Sequence, residues 1–167
     1  MRLFIAVRFS PEIEALLLDA VRQVREQVCS GNFTRPENLH LTLAFIGESE
    51  RLPEVKEAID KAATAAFPLT VGGGGRFGSL YWVGVEQHPA LARLTASIRR
   101  ELELRKVDFD RKPFKPHITI ARQVEAERPL ALDVPRLSMT VRRVSLMKSE
   151  RLSGRLVYTE VYGKNLR

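Results

Sequence analysis

His40-Leu41-Thr42-Leu43-Ala44 and His117-Ile118-Thr119-Ile120-Ala121 are near-duplicates, and together they hold two of the three histidines in a chain of 167 residues. In each string one apolar residue separates the polar pair, and β-favouring residues follow. A strand turns successive side chains to opposite faces, so His and Thr of each copy emerge side by side. Leu41 and Ile118, between them, turn into a core. Two such strands across a shared cleft present two imidazoles and two hydroxyls to whatever lies there.

Outward from these strings the pattern alternates strand and helix. An almost unbroken apolar run over 2–9 predicts a strand buried on both faces. Ser10-Pro11 opens a helix whose stripe is Ile13, Leu16, Leu17, Val21, Val24 and Val28, stopped at Gly31. A turn over 34–38 leads into the first His strand, 39–46, closed by Gly47. A second helix from Pro53 carries Val55, Ala58, Ile59, Ala62 and Ala66 on one face and ends before Pro68. Short strands at 69–72 and 81–86 are joined by a glycine-rich hairpin connection, and a third helix from Pro89 buries Leu91, Leu94, Ile98 and Leu102. A loop pinned by Pro113 and Pro116 delivers the second His strand, 117–123. Two strands, 137–147 and 155–162, finish the chain, the first with a β-bulge where its apolar phase shifts between Val141 and Val144. The recurrence suggests a duplication, with two α+β lobes of mostly antiparallel sheet facing across a cleft. No linker of disordered composition divides 1–167, which reads as a single bilobal domain.

Composition narrows the partners. Hydrophobic residues make up 44% and charged residues 28%, as in soluble globular proteins, and no apolar run approaches a membrane span. The single Cys29 forms no internal disulfide, which suits a reducing cytoplasm; it reads as packing on the apolar side of the first helix. The net charge of +7 is uneven: residues 1–84 carry nine Lys and Arg against ten Asp and Glu, and 85–167 carry eighteen against ten. That asymmetry points to a polyanion, RNA or DNA first.

The candidate chemistry is acid–base. Imidazole titrates close enough to neutrality for one ring to act as base while another acts as acid. Thr42 and Thr119 are placed to donate hydrogen bonds to phosphoryl oxygens as charge builds there, and Arg122 to clamp the phosphate. The two strings are too alike for the residues themselves to divide the acid and base roles. His88, before Pro89, reads as a surface or capping residue. Neither a paired-cysteine nor a compact carboxylate cluster completes a metal site around His40 and His117, and Gly72–Gly75 lacks the Lys-Ser/Thr of a nucleotide loop. Tyr81-Trp82 serves as a base-stacking face or as packing.

The chain resembles the two-histidine (2H) phosphoesterase superfamily, and within it the bacterial and archaeal RNA 2′,3′-cyclic phosphodiesterases, historically called 2′-5′ RNA ligases. The resemblance rests on Arg2-Leu3-Phe4-Ile5-Ala6, on Pro36 through Gly47 and on Phe114 through Arg122, and it spans essentially the whole chain. It implies a bilobal, LigT-like α+β fold with a central cleft, no cofactor, no metal, and hydrolysis of an RNA-terminal 2′,3′-cyclic phosphate to a 2′-phosphomonoester. By the family pattern His40 is the proton donor, His117 the proton acceptor, and Thr42, Thr119 and Arg122 bind the phosphate. The expected partner is RNA with cyclic-phosphate ends, handled by a cytoplasmic monomer without a membrane. The turn Asn32-Phe33-Thr34-Arg35 departs from the Arg-Trp pair of many relatives. Reverse 2′-5′ joining shares the same acid–base pair. Two alternatives stand beside this: a phosphodiesterase of 2′-5′ oligonucleotides, small cyclic nucleotides or a cyclic ADP-ribose phosphate, and a non-catalytic RNA-binding module.

Overall fold

The computed structural model describes all residues, Met1–Arg167. Its architecture grows from strand β1, Arg2–Val7, in which every residue from Leu3 onward is buried. Leu3, Ile5 and Val7 join the main core, while Phe4 and Ala6, facing the other way, form a small second cluster with Met147. Burial on both faces explains the unbroken apolar run. Helix α1, Pro11–Gln27, follows at once; the Ser10 side chain accepts a hydrogen bond from the Ile13 amide and caps it.

The remaining elements are β2 (Ser30–Phe33), a 3₁₀ turn (Pro36–Asn38), β3 (Leu41–Glu48), α2 (Leu52–Ala62), β4 (Phe67–Phe77), β5 (Leu80–Val85), α3 (Pro89–Leu104), β6 (His117–Glu125), β7 (Leu137–Val141), β8 (Arg143–Leu152) and β9 (Arg155–Asn165). They build two antiparallel sheets, one in the order β3-β1-β8-β9 and the other β2-β6-β5-β4-β7. One His string lies in each sheet. The architecture is α+β, as expected, but the sheets are not successive halves of the chain. Helix α1 leaves a strand of the first sheet and packs on β2, β6 and β7 of the second, while α2 and α3 pack together. A single apolar cluster takes in Leu3 and Ile5 of one sheet, Ile118 and Ile120 of the other, and Leu17 and Leu94 from the helices.

Several sequence expectations are corrected. Helix α1 ends at Gln27, short of Gly31, and Ser30–Phe33 is an edge strand with no apolar alternation to announce it. Cys29 therefore lies outside the helix and is exposed. Helix α2 ends at Ala62, which leaves Ala66 outside it. The apolar phase shift near Arg142 is not a bulge. There the chain passes from β7, paired with β4 in one sheet, to β8, paired with β1 in the other.

The glycine run is not a hairpin connection either; it lies within β4, whose turn to β5 comes only at Gly78-Ser79. Val71 pairs with Val85 and Gly74 with Val83, so one extra residue bulges from β4, and Gly73 there has φ of 66°. The bulge brings backbones close. A Cβ on Gly84 would stand 2.7 Å from the Gly72 carbonyl oxygen, which is backbone and cannot swing aside. The expected outcome is that Gly84→Ala destabilises the fold by about 1–3 kcal/mol, read as a lowered urea midpoint with an unchanged slope.

Candidate active site

Both His strings alternate as their sequence requires. Leu41 and Ile118 are fully buried, while His40, Thr42, His117 and Thr119 are half-buried on the opposite side. His40 lies immediately before β3, and His117 opens β6. All four side chains, together with Arg122, line one cleft of about 460 Å³ between the sheets.

Arg122 reaches that cleft because β6 is irregular. Strict alternation would put residues 119 and 122 on opposite faces. Opposite the adjacent residues Tyr81 and Trp82, however, β6 supplies Ala121 and Thr119, so Ile120 is the extra residue of a bulge. Ile120 and Ala121 are consecutive and both fully buried, which marks the phase change. The first string repeats the device: Ile5 and Ala6 of β1 pair with Ala44 and Thr42, leaving Leu43 bulged. The residue that corresponds to Arg122 is then Phe45. It packs against the small cluster of Phe4, Ala6 and Met147. The duplication is one of backbone form, with a cation on one side and an aromatic ring on the other.

Each imidazole is held in the same way. His40 Nδ1 lies 2.7 Å from the Asn38 carbonyl oxygen and His117 Nδ1 lies 2.6 Å from that of Lys115, in both cases two residues back. A carbonyl only accepts, so each Nδ1 carries hydrogen and each neutral ring keeps its lone pair on Nε2. His40 Nε2 meets Thr42 Oγ1 at 2.8 Å. An aromatic ring stands edge-on to each imidazole, Tyr158 against His40 and Phe77 against His117, both at 5.3 Å between ring centres. Phe4 adds a second aromatic neighbour to His40 at 4.8 Å.

Burial among these rings pushes His40 below its ordinary value, against the help of the Asn38 carbonyl, and the charges of Arg122, Arg8 and His117 push it the same way. Burial raises Tyr158, with Arg122, Arg2 and Arg151 opposing.

The sequence reading missed several residues of this cleft. Phe33, Asn38, Arg35, Arg151, Arg155 and Tyr158 also line it. Arg151 and Arg155 flank the β8–β9 turn and Tyr158 follows it, so nothing in the local pattern ties them to the His strings. Asn38 is buried beside the first string and donates to the Leu156 carbonyl at 3.1 Å; Arg35 donates to the same oxygen at 2.7 Å. His88 is a cap, its Nδ1 accepting from the Ala90 amide at 3.0 Å. Trp82 packs against Phe77 rather than lining the cleft. No group of three or more His, Cys, Asp and Glu side chains gathers anywhere as a metal site, and no helix is long and apolar enough to cross a membrane.

Two antiparallel sheets that each bring one His-x-Thr string to a common groove define a two-histidine phosphoesterase type of site. The match to the family model described as 2′-5′ RNA ligase superfamily covers residues 9–152, and the chain belongs to that superfamily. It is similar to the RNA 2′,3′-cyclic phosphodiesterase of Archaeoglobus fulgidus, 33% identical over an alignment of 144 residues that covers 81% of this chain and 80% of the relative. Among solved structures, a Thermus thermophilus protein superposes with a TM-score of 0.83 at 32% identity, covering 100% of this chain and 98% of that one. Escherichia coli LigT, crystallised with 3′-AMP, gives 0.83 at 26% identity over 99% and 97% of the two chains.

The pKa direction of His40 is measurable. Its ring is expected to titrate below about 6.5 in an NMR pH series. Arg122→Gln, which removes one positive neighbour, is expected to move it upward. Because the folded state prefers the neutral ring, the unfolded ring takes its proton first as pH falls. His40 therefore withdraws stability on the acid side of about pH 6.5 and none above it.

Proposed function

We propose that the chain is an RNA 2′,3′-cyclic phosphodiesterase that opens a terminal cyclic phosphate to a 2′-phosphomonoester by two-histidine acid–base catalysis, without a metal. The observation that carries this reading is the pair of imidazoles lining one cleft, each with Nδ1 committed to a backbone carbonyl and Nε2 turned away from it, toward the Thr42 hydroxyl in His40. Superfamily membership and the naming of relatives such as that of Archaeoglobus fulgidus support it.

In the step itself, His117 Nε2 takes a proton from water as the water oxygen bonds to phosphorus. The P–O3′ bond breaks, and the departing 3′ oxygen takes the proton from His40 Nε2. Water in line with the leaving oxygen is required, and the products are a 2′-phosphate and a 3′-hydroxyl. Turnover leaves His117 charged and His40 neutral, so solvent must exchange protons with both. Thr119 donates to a non-bridging oxygen, Thr42 does so once a protonated His40 Nε2 no longer takes its hydrogen, and Arg122 pairs with the phosphate charge. Burial disfavours charge on His40 in the empty cleft, and the phosphate anion restores it. Binding thus loads the acid. The same pair run backwards joins a 5′-hydroxyl to the cyclic end, with water the more abundant competitor. The enzyme works as one bilobal domain over 1–167, a monomer of the cytoplasm acting on RNA ends.

His40→Ala and His117→Ala are each expected to cut turnover on a cyclic-phosphate-ended oligonucleotide at least about 100-fold, with circular dichroism unchanged. Near-normal turnover in either variant overturns the pair mechanism. EDTA is expected to leave the rate intact; loss of activity restored by a single divalent ion points to metal-assisted chemistry instead. Chromatography of the product should yield only the 2′-phosphate. In pH profiles, the basic limb of kcat/KM should lie below that of kcat, because only the free enzyme feels the unrelieved desolvation of His40.

A further inference from the structure

The cleft holds more positive charge than one cyclic phosphate requires. Its lining contains Arg35, Arg122, Arg151 and Arg155 and not one Asp or Glu. Arg35 is partly committed, to the Leu156 carbonyl and, at 3.6 Å, to Glu37. Arg122, Arg151 and Arg155 take part in none of the ion pairs of the molecule. Even Glu150, next in sequence to Arg151, is turned to Lys148 at 3.2 Å. A cyclic phosphodiester carries a single negative charge, and Arg122 beside the His117 string suffices to meet it.

Arg151 and Arg155 stand on the β8–β9 hairpin, whose turn is built from Ser153 and Gly154, both left-handed, with φ of 52° and 78°. Two left-handed residues in a two-residue turn match the twist of the flanking strands. The hairpin is also tied to the first His string, since Arg35 and Asn38 both donate to the Leu156 carbonyl. The hairpin backbone that carries both arginines is therefore tied to Asn38, whose own carbonyl bonds His40 Nδ1; the exposed guanidiniums have no acidic partner, and that of Arg151 reaches only the Gly154 carbonyl at 3.4 Å.

From this we infer that Arg151 and Arg155 form a second phosphate subsite, which takes the phosphodiester immediately upstream of the terminal nucleotide and so selects oligonucleotide ends over free cyclic mononucleotides. The inference rests on the reading of the cleft as a cyclic phosphodiesterase site, and it names the feature of the substrate that reading leaves open.

The test compares a nucleoside 2′,3′-cyclic monophosphate, a dinucleotide ending in the same cyclic nucleotide, and that dinucleotide with a neutral methylphosphonate linkage. For the unaltered enzyme, kcat/KM should rise at least about tenfold from the first to the second and fall back with the third. Arg151→Gln with Arg155→Gln should compress that ratio to within about threefold. The log–log salt slope for the charged dinucleotide should be steeper than for the mononucleotide by about 0.7 per phosphate contact, and the double variant should lose the excess. A ratio near one in the unaltered enzyme overturns the inference, as does an advantage that survives the double substitution or the neutral linkage. Hydrolysis of none of the three overturns the catalytic reading itself. Fluorescence titration with the 2′-phosphate-ended dinucleotide and the 2′-mononucleotide then tests the subsite by binding alone. Equal affinity for the two, or affinities unmoved by the double variant, overturns it.

Discussion

The site depends on one constraint of strand geometry, the alternation of side chains interrupted once. His and Thr share a face because they are two apart, and the residue between them anchors the strand in the core. One bulged residue then resets the phase. Without the bulge at Ile120, Arg122 would face the apolar interior, where an unpaired guanidinium is costly. Without that at Leu43, Phe45 would leave the small cluster whose Phe4 ring packs against His40. The bulges are therefore part of the site.

Backbone symmetry and chemical asymmetry meet in the two halves of the cleft. Each imidazole gives its Nδ1 hydrogen to a carbonyl two residues back and has an aromatic edge beside it. Their surroundings nevertheless differ. Phe4, Phe45 and Tyr158 gather on the His40 side, and burial there lowers its affinity for a proton. Arg122 follows His117 instead. Like motifs thus stand in unlike environments, the condition under which two identical groups come to titrate differently.

Legibility followed the range of the interactions involved. The paired strings, the capped helix after Ser10 and the stripe of α3 could be read because periodicity and capping are local. Strand β2 could not: four residues, Ser-Gly-Asn-Phe, owe their extended form to pairing with β6 rather than to any propensity of their own. The glycines of β4 look like a flexible link because their lack of side chains is visible, whereas the backbone they must pass and the Trp82 ring that a Cβ on Gly75 would strike are not. The phase shift at Arg142 was visible as a shift, but a bulge and a change of sheet leave the same local trace.

What the sequence determined by itself was the set of groups and their facing: two His-x-Thr strings, a following arginine and a core residue between each polar pair, because alternation is a property of any strand wherever it lies. What only the tertiary structure decided was who stands around those groups. The interleaving of both halves of the chain into each sheet, the aromatic rings packed around His40 and the arginines of the β8–β9 hairpin all come from residues far apart in the chain. Their meeting is decided by burial of a shared apolar core, and no local pattern encodes that.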